Sequence, residues 1–414
     1  MNLSKQSREL MLFFSKNKNI LLRDTNHSNK TKKILRELYN EIIEADNYAK
    51  KRINYKYIGS KKIQSVSQIT KPQNFNSKSF PDIVRKHIDE SSMAEIAYSF
   101  SLYDRNIKVY FIVENGNVEL EIEKYNKYIE IIATWLYILN LYASKECVNT
   151  LNLYFYFTSL KKNLPNSNIH ILNEINVNTA FTTTCPKDSE IVIFREEEWF
   201  KVFIHETFHN FGLDFSIMNN SYINDCILNI YDVNSDINAY EAYTEFWAEI
   251  INALFCSFYA LTDKNNFEEF LSNSEFYIDF ERSYSLFQMV KALDFMGLKY
   301  KDLYSKSNHS IMLRKNLYKE HTNVLSYYII KTVLLVNYQG FLNWCNENNI
   351  SLLDFKKTIG NEKKFCKFIE KNYKTNYLLN SINESEVFLS KLKKKKDTNK
   401  FILSNMRMSI CELG

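Results

Sequence analysis

Glycine and proline are scarce in this sequence, at 7 and 4 of 414 residues. So few backbone breakers favour long elements and leave the turns to Asn, Asp and Ser. All four prolines (Pro72, Pro81, Pro165, Pro186) lie in the first half, so nothing after Pro186 forbids long helices. The second half is therefore read as mostly helical. Cysteine is also thin: seven scattered residues, odd in number and never in a Cys-x-x-Cys pair. That pattern points to reduced thiols in a cytoplasmic, reducing compartment. Met1 to Asp24 shows no basic, apolar and cleavage segments in secretory order. The longest apolar run, near Phe246 to Leu261, carries Glu249 and Asn252 and is too short and too polar to span a bilayer. A soluble protein with no membrane partner is expected.

An excess of one charge is missing too. Lys and Arg number 53 against 48 Asp and Glu, for a net charge of +5. The basic residues gather in Lys30 to Lys62 and in Lys391 to Lys396, both interleaved with polar residues. They read as solvated surface, so no specific nucleic-acid partner is expected.

What remains is ordinary globular material, 45% apolar and 24% charged, with a high aromatic content of 15%. The chain is long enough for one or two domains. Its wealth of Asn, Lys, Ile and Tyr suits a large DNA virus or another AT-rich genome, which makes a virion or viral factory a second candidate location.

The pattern along the chain predicts an α+β fold. Residues 1–85 read as a basic N-terminal appendage or cap. Residues 86–215 read as a subdomain with a small mixed sheet and an active-site helix, and 216–414 as a helical C-terminal subdomain. Alternation from Ala94 to Glu114 around a turn at Asp104 predicts a β-hairpin, and Glu119 to Ala143 has helical spacing. Leu151 to Phe157, Ile175 to Thr183 and Ile191 to Phe194 are strand candidates. Arg195 to Trp199 then opens a helix with an acidic first turn, ending at the ready C-cap Gly212.

Inside that helix stands His205-Glu206-Thr207-Phe208-His209. Histidines at i and i+4 share one helical face and suit two of the four positions around zinc, while the intervening Glu can act on water. With only seven His in the chain, a chance match is on the order of one in a hundred. A third ligand is needed, and Glu241, Glu245 and Glu249 follow one another at helical spacing beside a buried stripe. Their mutual repulsion would be relieved by a cation or a histidine ring. A solvated acidic face is the plainer alternative.

The helix His205 to His209 resembles the active-site helix of the zincin metallopeptidases. Thr244-Glu245-Phe246-Trp247-Ala248-Glu249 resembles the Glu-Phe-x-Ala-Glu helix of gluzincin-like members, including the lethal-factor type. The resemblance implies Glu245 as third ligand, with Glu249 orienting a ligand imidazole, and Glu241 with Glu245 as the competing register. His209-Asn210-Phe211-Gly212-Leu213-Asp214-Phe215 also resembles the metzincin extension, but Phe215 stands where the third ligand would be. Asp214, one residue short, reads as a loop-capping or supporting acid. The resemblance covers about 60 residues, Ile191 to Asn252, and makes Glu190 to Phe194 the edge strand that pairs with an extended substrate.

The implied function is that of a zinc metallopeptidase with one Zn2+ per chain, Glu206 as general base and a peptide or protein as substrate. Tyr243, Tyr240, His321 and Tyr328 are candidates for stabilising the transition state. Cys185, before the edge strand, reads as a buried thiol or, less simply, as a thiolate covering the metal. The alternative function is a catalytically silent zincin-like binding or structural protein, for example in a virion. The oligomeric state is not legible.

Overall fold

The computed structural model describes residues 3–17, 20–22, 27–395 and 400–414. Lys396, the last member of the C-terminal basic cluster, lies outside them. The fold is mixed α+β and comprises two compact units. A sheet unit holds Glu37–Lys161 and Asn178–Leu213, and a helical unit holds Met1–Arg36, Lys162–Val177 and Asp214–Gly414. Residues 37–85, expected within an appendage, thus belong with the sheet.

Six strands build that sheet: β1 (Lys56–Lys62), β2 (Ala94–Leu102), β3 (Arg105–Val113), β4 (Thr150–Phe157), β5 (Ala180–Thr182) and β6 (Asp188–Ile193), in the order β1-β2-β3-β4-β6-β5. β2 and β3 form the expected hairpin, with Leu102 opposite Arg105. β3, β4 and β6 run parallel, and β1 and β5 close the two edges in antiparallel pairing. In β4 the alternation sends Phe155 and Phe157 to one face, against Trp199, and Tyr154 and Tyr156 to the other. There they pack with Ile69, Phe80, Val84 and Ile88. Covered on both faces, β4 reads as an apolar run rather than an alternating one.

The predicted helix over 119–143 runs from Ile122 to Tyr142 and buries Tyr128, Ile131, Ile132, Trp135, Ile138 and Leu139. Each such side chain removed from water contributes roughly 1.5–3 kcal/mol. Tyr137 and Tyr142 donate to Glu44 (2.6 Å) and Glu41 (2.7 Å) of the helix Asn29–Arg52.

The helical unit centres on two long helices, Ala239–Ala260 and Phe267–Phe295. Lys264 turns the corner between them by donating to the carbonyls of Phe258 (2.7 Å) and Leu261 (2.9 Å). The C-terminal segment threads through this unit: buried Glu281 accepts from Ile410 N (3.0 Å), Cys411 N (2.9 Å) and Ser409 Oγ (2.5 Å). Among the described residues no helix is long and apolar enough to cross a membrane.

The cysteines depart from expectation. Cys147 pairs with Cys185 and Cys226 with Cys366, while Cys256, Cys345 and Cys411 are buried free thiols. The partners are 38 and 140 residues apart in sequence, so spacing carried no sign of either pair.

Candidate metal centre

The histidine helix runs from Trp199 to Asn210 and is buried along its whole length. It starts later than the sequence suggests. Glu198 takes a left-handed conformation (φ 60°) at the N-cap, so the acidic run precedes the first turn instead of filling it. Lys161 lies 3.6 Å from Glu197 there. At the other end Gly212 (φ 65°) donates to His209 O (3.0 Å) and Leu213 N to Phe208 O (2.9 Å). This is the paired closure of a Schellman cap, and it satisfies carbonyls the helix would otherwise leave open.

Three side chains fix the helix's rotation. Trp135 Nε1 donates to Thr207 Oγ1 (2.8 Å), and Phe208 stacks on the same indole. Asn210 accepts from Ser189 Oγ (2.7 Å) and donates to Thr182 Oγ1 (2.9 Å). With Thr207 and Asn210 tied to neighbouring elements, the orientation of His205, Glu206 and His209 is set by the fold.

The two imidazoles converge. His205 Nε2 and His209 Nε2 are 3.2 Å apart, with ring planes at 78°. Two nitrogens sharing one tetrahedral zinc at about 2.0–2.1 Å sit roughly 3.3–3.4 Å from each other. The pair therefore fits two ligand positions on a single ion. A hydrogen bond between neutral imidazoles spans a similar gap, so metal content is what separates the two. Glu206 is buried on the same helix.

In the helical unit, Glu241, Glu245 and Glu249 are all buried along Ala239–Ala260. Tyr327 Oη donates to Glu241 Oε2 (3.0 Å), and Lys331 Nζ donates to Glu249 Oε1 (2.5 Å) with both side chains buried. Tyr327 lies on a π-helical stretch, Leu325–Ile330, that leads directly into Lys331–Val336. Such wide turns often mark functional positions. Glu249 thus has a buried lysine as a partner, and Lys331 is a residue that the sequence reading missed.

Comparison with known proteins gives little to add. No protein-family description matches the chain, and no solved structure does. One uncharacterized protein of Acanthamoeba polyphaga mimivirus is 28% identical over 194 residues, covering 44% of this chain and 46% of that protein. The chain therefore spans less than half the length of the relative it matches.

The other candidates separate. Asp214 Oδ1 accepts from Ser216 N (2.6 Å), the geometry of a loop-capping Asx turn. Tyr243 Oη donates to Leu353 O (2.8 Å) and Tyr328 Oη to Met406 O (2.7 Å), so both hydroxyls are committed to backbone carbonyls. Tyr240 is half-buried, and burial, with Glu241 and Asp214 adding to it, pushes its phenol above the usual range. His321 is exposed, its backbone N–H bonded to Leu172 O (2.9 Å).

The expected substrate-pairing edge is corrected. β6, residues 188–193, lies inside the sheet between β4 and β5, and the three-residue β5 forms the edge. The strand candidate Ile175 to Thr183 thus holds β5, preceded by a short helix at Glu174–Val177. The Cys185 thiol is likewise accounted for by its bond to Cys147.

Proposed function

We propose that this protein is a zinc-dependent peptidase whose metal is held by His205, His209 and one glutamate of the helix Ala239–Ala260. Glu245 is that ligand in the register of the Glu-Phe-x-Ala-Glu resemblance, and Glu241 in the competing one. The observation that carries the reading is the 3.2 Å between the two Nε2 atoms, close to one edge of a tetrahedral zinc site. In such a site the ion supplies Lewis acidity toward the scissile carbonyl and lowers the pKa of the water it polarises.

The remaining work falls to this chain's own side chains. Glu206 takes the proton from the attacking water and returns it to the departing amine. Tyr240 and His321 are the candidates left for the developing oxyanion, since the Tyr243 and Tyr328 hydroxyls already serve backbone carbonyls. Glu249, held by Lys331, supports the helix that carries the third ligand. The mimivirus similarity supports a source in a large DNA virus. The two cysteine pairs favour a virion, where disulfides persist, over a reducing cytosol.

The direct test compares hydrolysis of an unstructured protein such as casein by wild type and by Glu206→Gln. Loss of the base should slow turnover on the order of 10²–10⁴-fold while the metal stays bound. Equal turnover in the two proteins would remove Glu206 from the chemistry. Bound zinc with no hydrolysis by the wild type would favour the silent, structural reading.

A further inference from the structure

A second set of metal-ligating side chains meets within the helical unit. Ser221–Ile230 carries Cys226, and Ile359–Asn372 carries Cys366 and, one turn on, Glu370. The Cα atoms of Cys226 and Cys366 are 6.5 Å apart, and the structure joins their sulfurs in a disulfide. Glu370 Oε1 lies 3.8 Å from Cys226 Sγ. One donor atom from each of the three residues falls within 4.8 Å of the other two.

A disulfide makes no use of the carboxylate beside it. Once the bond is opened, the same residues become two thiols and a carboxylate, and loss of the thiol protons would bring three negative groups together at a range where a cation offsets their repulsion. Their arrangement suits one: donors at i and i+4 share a helical face, and the third comes from the facing helix. Cys366 is buried while Glu370 is exposed, so the carboxylate stands at the solvent end of the cluster.

We propose that reduction turns this bridge into a site for a thiophilic divalent cation, Zn2+ or Cd2+, with Cys226, Cys366 and Glu370 as ligands. The reductant is a dithiol. The S–S bond takes up two electrons and two protons to give two thiols, and the dithiol closes to its own disulfide. The cation then displaces both thiol protons to solvent and forms two metal–sulfur bonds, about 2.3 Å long when the ion is zinc. The two helices are thereby clamped in either state, by a disulfide when oxidised and by a metal when reduced. The inference is independent of the peptidase reading.

The test uses the whole chain carrying His205→Ala, His209→Ala, Cys147→Ser and Cys185→Ser, so that neither the histidine pair nor the other cysteine pair contributes a ligand. This protein is reduced with a dithiol, desalted without oxygen and titrated with Cd2+, following the ultraviolet thiolate-to-cadmium absorption. The expected result is a band that saturates at about one equivalent. Cys226→Ser and Cys366→Ser should each abolish it. Glu370→Gln, a surface change that leaves the helices intact, should weaken binding about tenfold or more. A band that survives both serine variants, or a Glu370→Gln chain that binds Cd2+ as tightly as its parent, would overturn the assignment.

Discussion

Lys331 Nζ lies 2.5 Å from Glu249 Oε1, and both side chains are cut off from solvent. Taking two charges out of water costs several kcal/mol per ion, so the pair stands only while both members are present. Glu249→Ala or Lys331→Ala alone should cost roughly 3–5 kcal/mol, because each removes one partner of a buried ion pair. Glu249→Leu with Lys331→Met should recover most of that loss. Denaturant midpoints of the three proteins check this; a double variant no more stable than the singles would show that packing dominates.

Gly212 closes the histidine helix in a left-handed conformation, and a Cβ built there would lie 3.4 Å from Cys185 Cβ. The contact is tight rather than impossible, so backbone strain is the main cost. Gly212→Ala should lose about 1–2 kcal/mol. Gly212→Asn, which tolerates this conformation better, should lose less in the same denaturation assay. Equal losses would place the cost in crowding against Cys185.

Glu320 supplies a pH dependence. Burial raises its carboxyl to about 7, although Ser235 Oγ and Leu325 N donate to it. A carboxyl whose folded pKa lies above its unfolded value binds protons more readily when folded, so its stabilising effect is complete below about pH 4.3 and fades as pH rises through 7. Wild type should therefore lose melting temperature between about pH 4.5 and 7 relative to Glu320→Gln. Parallel melting curves across that range would show that Glu320 does not titrate there.

How much of this was legible follows from where each signal resides. The histidine helix, its glycine cap and the β2–β3 hairpin rest on local spacing and backbone preference, and all three stand in the structure. The interior position of β6 was hidden because nothing local shows that the candidate strand holding β5 pairs along its outer edge. The helix start was misplaced because Glu198 adopts a left-handed conformation that no local pattern announces. Lys331 was missed because it lies 82 residues from Glu249, and the cysteine pairs were hidden by separations of 38 and 140 residues. Local order was readable; long-range pairing of charges and sulfurs was not.

The central claim is most directly tested by zinc analysis of protein purified without chelators and with its disulfides kept oxidised. Wild type and Glu206→Gln should each carry close to one zinc per chain, as a site with three protein ligands and an open position requires. His205→Ala and His209→Ala should each lose it. Glu245→Ala should lose it too if Glu245 is the third ligand, with Glu241→Ala nearly unchanged, and the reverse result would shift the ligand to Glu241. Metal-free wild type, or full zinc content in the two histidine variants, would contradict the account.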